Sequence, residues 1–411
     1  MVGASQVRVP QAVLSSVNCG ALSETRFGIA ARLICRVLKG VWVGLMRSYQ
    51  RYFFWVATLA IAAWTAPRAF VFAENTPPLK LVKTIELTDI RSGEPDVSAD
   101  QLAKNLTTTR MVGVQNHFDH LTADLKNNRL FVVPEDNKTI EVYDIRTGNF
   151  VHSIKGIGVG HSVVYRADMD RIFVTDGSNG DLKIFNGTTY ELLKTVKLLA
   201  DSDATGYDPV THNLYIADGG LDAKLNHTFL EIVNTDTGEK VGQIKIDSNR
   251  LEAMVVEKSG SRLFLNMTEK NSIGVIDRQK QAIAAVWPLT CKVNVSVAMD
   301  EKNHRLFVAC RDGNMNVLDS DTGKVLENLP ISTGVDDMVF DPASQRVYVA
   351  AGEGFVNVFK EIDADHYQAI GKIPTGPLGK TGLLVPELKE YLVAVPPHGS
   401  TSARVLVFAV K

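Results

Sequence analysis

The stretch that decides the fold is residues 336–351, with the sequence DDMVFDPASQRVYVAA. An alternating segment, a Pro-Ala-Ser-Gln turn and a β-rich segment at residues 347–349 together predict a β-hairpin. The chain contains this hairpin seven times without a gap, starting at residues 119, 161, 203, 252, 295, 336 and 380. The starts lie 41 to 49 residues apart. A period in the low forties built from short strands is typical of a β-propeller.

Two further strands complete the repeat. In the first unit the third strand is TIEVYDI at residues 139–145, and the fourth is FVHSIKG at residues 150–156. The seventh unit has a third strand at residues 404–410 and no fourth strand after it, whereas LKLVKTIEL at residues 79–87 precedes the first unit. We therefore predict an all-β, seven-bladed β-propeller with four strands per blade, in which strand 79–87 completes the last blade. Such a closure leaves no free sheet edge, so we expect a monomer.

Residues 74–411 are predicted to form this single domain, and three stretches exceed the repeat. They are the insertion 88–116, the loop 219–228 and the loop 396–403. Residues 96–106, DVSADQLAKNL, predict a short helix within the first insertion. All three stretches fall in loops on the same face of the ring. Long loops on one face of a repeat protein commonly form its binding face.

The amino-terminal segment predicts export. Residues 52–66 are uncharged and apolar, Arg47 and Arg51 precede them, and residues 71–73, Val-Phe-Ala, resemble a cleavage site. We interpret residues 46–73 as a signal peptide and residues 1–45 as a dubious extension, with Met46 as the true start. The alternative is an uncleaved anchor, but 15 residues fall short of the ~20 that a membrane-spanning helix needs. The predicted location is the bacterial periplasm or the extracellular medium, where Cys291 and Cys310 would form a disulfide or remain two buried thiols.

The charge distribution disfavours nucleic acid as a partner. Residues 1–73 contain eight basic residues and one acidic residue, so the remainder has 36 basic and 45 acidic residues. Binding of nucleic acid usually depends on clustered Lys and Arg side chains. An acidic body also disfavours attachment to a membrane surface.

The second strands of the hairpins resemble a known family. The stretches LFVV at 130–133, LYIA at 214–217, LFVA at 306–309 and VYVA at 347–350 make residues 79–411 similar to the bacterial YVTN-repeat propellers, including the exported YncE-like proteins. A literal Tyr-Val-Thr-Asn is absent, and the nearest match is FVTD at 173–176. The resemblance implies a binding scaffold without fixing a ligand. At the level of the fold, the chain also looks remotely similar to calcium-dependent lactonase propellers.

The first residue of each hairpin is a candidate site residue, because the first strand of a blade lines the central channel. Two polar neighbours of this column, His120 beside Asp119 and Asn294 beside Val295, add to it. The predicted ligand-binding rim consists of Asp119, His120, His161, Asp203, Glu252, Asn294, Asp336 and Lys380.

Several interpretations of this rim remain open. It is a solvated polar surface, a site for an organic ligand, or a metal site. Hard oxygen ligands suit Ca²⁺, which Asp203, Glu252, Asn294 and Asp336 would hold. Imidazoles suit a transition metal, for which the candidates are His117, His120 and His161 with Asp119. Lys380 would repel a cation unless it pairs with Asp336 or Asp119.

These patterns lead to three functional hypotheses. The first is an exported, non-catalytic scaffold that binds a partner protein, a polymer or a small ligand on its loop-bearing face, since no Gly-x-Ser-x-Gly motif or other nucleophile–base motif is present. The second is a calcium-dependent hydrolase of the lactonase type, with its site at the mouth of the channel. Nucleic-acid binding is the least favoured.

Overall fold

A computed structural model describes residues 77–88, 90, 99–108 and 117–411. The predicted extension 1–45, the signal peptide 46–73 and part of the insertion 88–116 lie outside the described residues. The described strands form seven four-stranded antiparallel sheets, which confirms the predicted seven-bladed β-propeller.

Each of the first six blades consists of four strands that are consecutive in the chain. Blade 1 contains β2 (Phe118–Asp124), β3 (Arg129–Pro134), β4 (Ile140–Asp144) and β5 (Phe150–Ile154). Blade 2 contains β6 (Gly160–Arg166), β7 (Arg171–Asp176), β8 (Asp181–Asn186) and β9 (Leu192–Lys197). Blade 3 contains β10 (Thr205–Asp208), β11 (Asn213–Gly219), β12 (Thr228–Asn234) and β13 (Glu239–Ile246). Blade 4 contains β14 (Leu251–Val256), β15 (Arg262–Met267), β16 (Ser272–Asp277) and β17 (Ala282–Pro288). Blade 5 contains β18 (Asn294–Asp300), β19 (Arg305–Cys310), β20 (Asn314–Asp319) and β21 (Val325–Pro330). Blade 6 contains β22 (Val335–Asp341), β23 (Arg346–Ala351), β24 (Phe355–Asp363) and β25 (His366–Pro374).

Blade 7 is closed by the first described strand of the chain. Its strands are β26 (Thr381–Val385), β27 (Glu390–Val395), β28 (Arg404–Val410) and β1 (Leu79–Glu86). Strand β1 pairs antiparallel with β28 from Leu79 opposite Val410 to Glu86 opposite Arg404. The predicted closing role of residues 79–87 is therefore confirmed. Because β26 also contacts β2, the last blade joins the first.

Burial follows the position of a strand within its blade. The second strands β3 and β23 are buried over almost their whole length, because neighbouring blades pack on both of their faces. The fourth strands, such as β9 and β21, alternate between exposed and buried residues, since they form the outer edge. The clusters of apolar side chains accordingly lie between blades. One of them joins blade 7 to blade 1 and contains Ile85 and Leu392.

A short helix, α1 (Ala99–Asn105), lies where the sequence predicts one. Leu106, which follows it, packs against Leu378, and its Cδ2 atom lies close to the Cα positions of Gly334 and Gly352. A Cβ atom at either glycine would come within 2.6 Å of Leu106 Cδ2, so a larger residue would displace the Leu106 side chain, and the φ of +72° at Gly334 also favours glycine there. Short 3-10 helices occur at Glu135–Asn137, Thr268–Lys270 and Pro386–Leu388. Among the described residues, no helix combines the length and the apolar character needed to cross a bilayer.

Candidate functional site

A cavity of about 370 Å³ lies where the first strands of the seven blades converge. The first residue of every hairpin lines it, so all seven blades contribute a side chain from the same repeat position to the cavity. These residues are Asp119, His161, Asp203, Glu252, Val295, Asp336 and Lys380. Two insertions also border the cavity, since Asp222 of the loop 219–228 lines it and Thr108 accepts a hydrogen bond from Arg311.

β-Bulges at the starts of the inner strands aim these side chains at the cavity. In blade 6, Val335 pairs with Ala351 and Asp337 pairs with Ala350, so Asp336 is the extra residue between them. Shifts of register at the same place occur in blades 1, 2, 4 and 5. A bulge bends the strand and turns a side chain out of the regular alternation. Polar groups can therefore face the channel where an unbroken strand would alternate between its two faces.

The same bulge explains why Asn294 was wrongly predicted as a rim residue. Val295 occupies the bulge of blade 5 and faces the cavity, whereas Asn294 precedes it, pairs with Cys310 and is fully buried. The Asn294 amide donates to Asn266 Oδ1 at 2.7 Å and to the Ser272 carbonyl at 3.0 Å. Asn294 therefore joins blade 5 to blade 4 and does not line the cavity.

One side of the cavity is electrostatically compensated. Asp336 accepts hydrogen bonds from Lys380 Nζ and from Arg311 Nη2, the latter at 2.7 Å. Burial opposes ionisation of Asp336, but Lys380 and Arg311 hold the pKa of its carboxyl below the usual value. Glu252 accepts from Arg250 Nε at 2.8 Å. Lys380 thus pairs with Asp336, one of the two partners that the sequence suggested.

These ion pairs involve two members of the predicted calcium ligand set, which consists of Asp203, Glu252, Asn294 and Asp336. Both oxygens of Asp336 already contact cationic side chains, and Glu252 is paired with Arg250. Asn294 faces a neighbouring blade. Of the three carboxylates in this set, only Asp203 has no arginine or lysine partner within the described part of the chain, so the arrangement does not favour an oxygen cage for Ca²⁺.

The opposite side, formed by blades 1 to 3, brings histidines and carboxylates together. His161 Nδ1 lies 2.8 Å from Asp119 Oδ2 and 3.8 Å from Asp203 Oδ1. His120 Nε2 lies 3.5 Å from Asp119 Oδ1, and its Nδ1 lies 3.0 Å from Asp337 Oδ1. Three of the predicted rim residues therefore lie close to Asp119, namely His161, His120 and Asp203.

Burial and charge shift the pKa values on this side. Burial, reinforced by the carboxylates of Asp119 and Glu252, raises the pKa of Asp203 to about 8. Burial would lower the pKa of His161, but the carboxylates of Asp203 and Asp119 raise it well above the usual value. The pKa of His120 is also raised well above the usual value, because the carboxylates of Asp337 and Asp119 outweigh the lowering effect of burial. In the protein without a ligand, protons on these imidazoles balance the crowded carboxylates.

Sequence reasoning missed five charged residues that line the cavity: Glu135, Asp201, Asp222, Arg250 and Arg311. Four of these five residues occupy two recurring positions that flank the aligned hairpins, so the repeat pattern could have predicted them. Asp201 and Arg250 lie two residues before a hairpin start, as His117 does. Glu135 and Arg311 are each the first residue after a hairpin end. Asp222 belongs to an insertion without an internal counterpart, so no repeat pattern points to it.

Cys291 and Cys310 form a disulfide, with their sulfur atoms 2.00 Å apart. Cys310 ends β19, and Cys291 lies in the loop before β18. The bond therefore connects the entry of the fifth inner strand to the neighbouring second strand, near the cavity but outside its lining.

Comparison with solved structures supports the fold. A chain of the mitotic checkpoint complex is 13% identical, with a TM-score of 0.63, covering 84% of this chain and 96% of that chain. A chain of Kuenenia stuttgartiensis hydrazine synthase is 15% identical, with a TM-score of 0.60, and the WD40 repeats of RRP9 are 11% identical, with a TM-score of 0.61. Each alignment covers 72% of this chain, and 97% and 95% of the respective partner. No family model matches the chain, and no curated protein does. At these identities the likeness shows a WD40-like propeller fold alone.

Proposed function

We propose that this chain is an exported, non-catalytic binding propeller of the YVTN-repeat, YncE-like type, which holds a small cationic ligand in the cavity at the mouth of its channel. The observation that carries the proposal is the composition of that cavity. Its described lining contains seven carboxyl side chains against three from Lys and Arg, together with three histidines. A partly open cavity with more carboxyl groups than lysine and arginine side chains, and with fixed polar groups, favours a small positively charged ligand.

The arrangement supports binding more than catalysis. Among the described lining residues there is no Ser, Thr or Cys that could act as a nucleophile. Asp336 and Glu252 are committed to Lys380, Arg311 and Arg250, which fixes the wall of the cavity and leaves neither carboxylate free to act as a base. The broader scaffold role, in which a partner protein or polymer docks on the same face, is compatible with a ligand group inserted into this cavity.

Thermal unfolding with a panel of small molecules tests the proposal. The purified protein is kept in a chelator, and putrescine, ethanolamine, citrate and glucose are added at equal ionic strength. Binding raises stability by RT ln(1 + [L]/Kd), about 2.7 kcal/mol at a hundred times Kd. We expect the two amines to raise Tm and this gain to be lost in Asp201→Asn. Stabilisation by citrate but not by the amines would contradict the proposal.

Export is part of the proposal and has a separate test. The Cys291–Cys310 disulfide supports it, because such bonds persist in oxidising compartments. The expected amino terminus of the native protein is Glu74, determined by amino-terminal sequencing. A native protein that retains Met1 would show that cleavage does not occur.

A further inference from the structure

Four side chains from three adjacent blades lie near one another on the side of the cavity formed by blades 1 to 3. They are Asp119 and His120 of blade 1, His161 of blade 2 and Asp203 of blade 3. One ligand atom each from Asp119, His120 and Asp203 lies within 4.8 Å of the others. A second group of the same kind, Asp119, Glu135 and His161, shares Asp119 with the first.

Asp337, which lies behind His120, orients its imidazole ring. Asp337 contacts His120 Nδ1 at 3.0 Å through Oδ1, and its Oδ2 accepts the Gly382 backbone N–H at 3.0 Å. A neutral His120 that donates its Nδ1 proton to Asp337 presents the lone pair of Nε2 to Asp119. A carboxylate behind a histidine is the arrangement that fixes the tautomer and ring orientation of metal ligands.

His117 shows a similar arrangement beside the cluster. Its Nε2 lies 2.8 Å from Glu135 Oε1, whereas its Nδ1 is buried and has no hydrogen-bond partner. Buried polar atoms are normally paired, so this imidazole nitrogen in the wall of the cavity can accept a hydrogen bond from a group bound there or donate one to it. This observation is independent of the distances within the cluster.

The carboxylates of the cluster have no lysine or arginine partner. Asp119, Glu135 and Asp203 form no ion pair with a lysine or arginine in the described residues, in contrast to Asp336 and Glu252 on the other side. Their ion-pair partners there are histidines alone. A divalent ion bound between these carboxylates would balance their charge.

We propose that Asp119, His120, His161 and Asp203 bind a divalent transition-metal ion, for which Zn²⁺ is the best fit. Two imidazole nitrogens and two carboxylate oxygens are the donor number and type that Zn²⁺ takes in tetrahedral sites. Ca²⁺ prefers six to eight oxygens, which this cluster does not offer. The inference rests on the proposed binding function of the cavity and names the ligand class on one side of it. A bound ion would also link blades 1, 2 and 3.

The test uses the purified chain stripped with chelator and then desalted. Zn²⁺ binding is measured by competition with a chromogenic chelator, stoichiometry by elemental analysis, and geometry by the visible absorption of the Co²⁺-loaded protein. We expect about one Zn²⁺ per chain and a tetrahedral Co²⁺ spectrum. His161→Gln should abolish tight binding, and Asp337→Asn, which removes only the group behind His120, should weaken it about 10- to 100-fold.

The matched control is His212→Gln. His212 Nδ1 lies 2.8 Å from Asp236 Oδ2 in an exposed histidine–aspartate pair away from the cavity, so Zn²⁺ affinity should not change. A wild-type protein that retains no Zn²⁺, or an Asp337→Asn variant with wild-type affinity and spectrum, would overturn the proposal even if His161→Gln failed to fold. Amine binding that persists in chelator would then show that the proposed function stands while the metal site does not. Zn²⁺ binding without amine binding would give the opposite outcome.

Discussion

Replacing Asp336 with asparagine removes the single negative charge that two buried cations share. The Lys380, Arg311 and Asp336 side chains are 5%, 6% and 10% exposed, so water compensates poorly for the lost carboxylate. Asparagine has nearly the same shape, so no cavity is created. The loss of stability in this variant therefore reports mainly the lost ion pairs of Lys380 and Arg311 with Asp336.

The expected loss follows from the burial of this group. Removing one partner of a buried ion pair costs about 3–5 kcal/mol, because it leaves an uncompensated charge in a medium of low polarity. For a ring of roughly 330 residues, an unfolding entropy of about 2.1 cal/mol/K per residue amounts to about 0.7 kcal/mol/K. Asp336→Asn should therefore lower Tm by about 4–7 °C.

The assay is thermal and urea unfolding followed by circular dichroism, with Asp365→Asn as the matched control. Arg305 Nη2 contacts Asp365 Oδ1 at 2.7 Å, the same distance as that between Arg311 and Asp336, but Asp365 is 61% exposed. Exposed pairs contribute about 0–1 kcal/mol, so Tm of the control should fall by about 1.5 °C at most. Equal Tm values for the two variants would refute the reasoning that burial makes the Asp336 pair essential.

Three further predictions concern closure, the disulfide and pH. Ile85→Ala in the closing strand β1 should lower the free energy of unfolding by about 2–5 kcal/mol, since the Ile85 side chain is 1% exposed. Val82→Ala, at an exposed position of the same strand, should lower it by less than about 0.5 kcal/mol. Equal urea midpoints for the two variants would contradict closure by this strand. Cys291→Ser should lower Tm by about 4 °C, because a disulfide that closes a loop of roughly 20 residues contributes about 3 kcal/mol to stability. A peptide map without reduction should show Cys291 joined to Cys310 in the wild type, and finding both as free thiols would exclude the bond. Burial raises the pKa of Asp218 to about 7, so its protonated form stabilises the fold fully below pH ~4, and this contribution is lost as the pH rises towards 7. Asp218→Asn should therefore be more stable than the wild type at pH 8, by on the order of 1–3 kcal/mol. A difference in stability that does not shrink towards pH 5 would contradict this prediction.

The repeat pattern was sufficient to predict the architecture because a propeller is built from local units. The hairpins at 119 and 336 pair residues close in the chain, so strand order follows from the sequence. Among the described strands, the one long-range pairing, β1 with β28, follows from counting strands, since one blade lacked a fourth strand. Burial of the second strands also follows, because their continuous apolar runs require packing on both faces.

The details of the site depended on geometry that the sequence does not display. A bulge at the start of β18 places Val295 in the cavity and turns Asn294 towards blade 4, and neither residue type signals that bulge. Arg311 reaches Asp336 across a blade boundary, from a position 25 residues earlier in the chain. Contacts of this kind depend on the twist of each sheet and on the angle between blades.

The sequence by itself therefore determined that seven similar hairpins form a ring, that residues 79–87 close it, and that the column from Asp119 to Lys380 surrounds its axis. Only the tertiary structure decided how this column divides. On one side Asp336 is neutralised by Lys380 and Arg311, and on the other the carboxylates of Asp119 and Asp203 face histidines. The physical reason is that a repeat fixes where a side chain starts, whereas the ion pairs that it forms depend on neighbours from other blades.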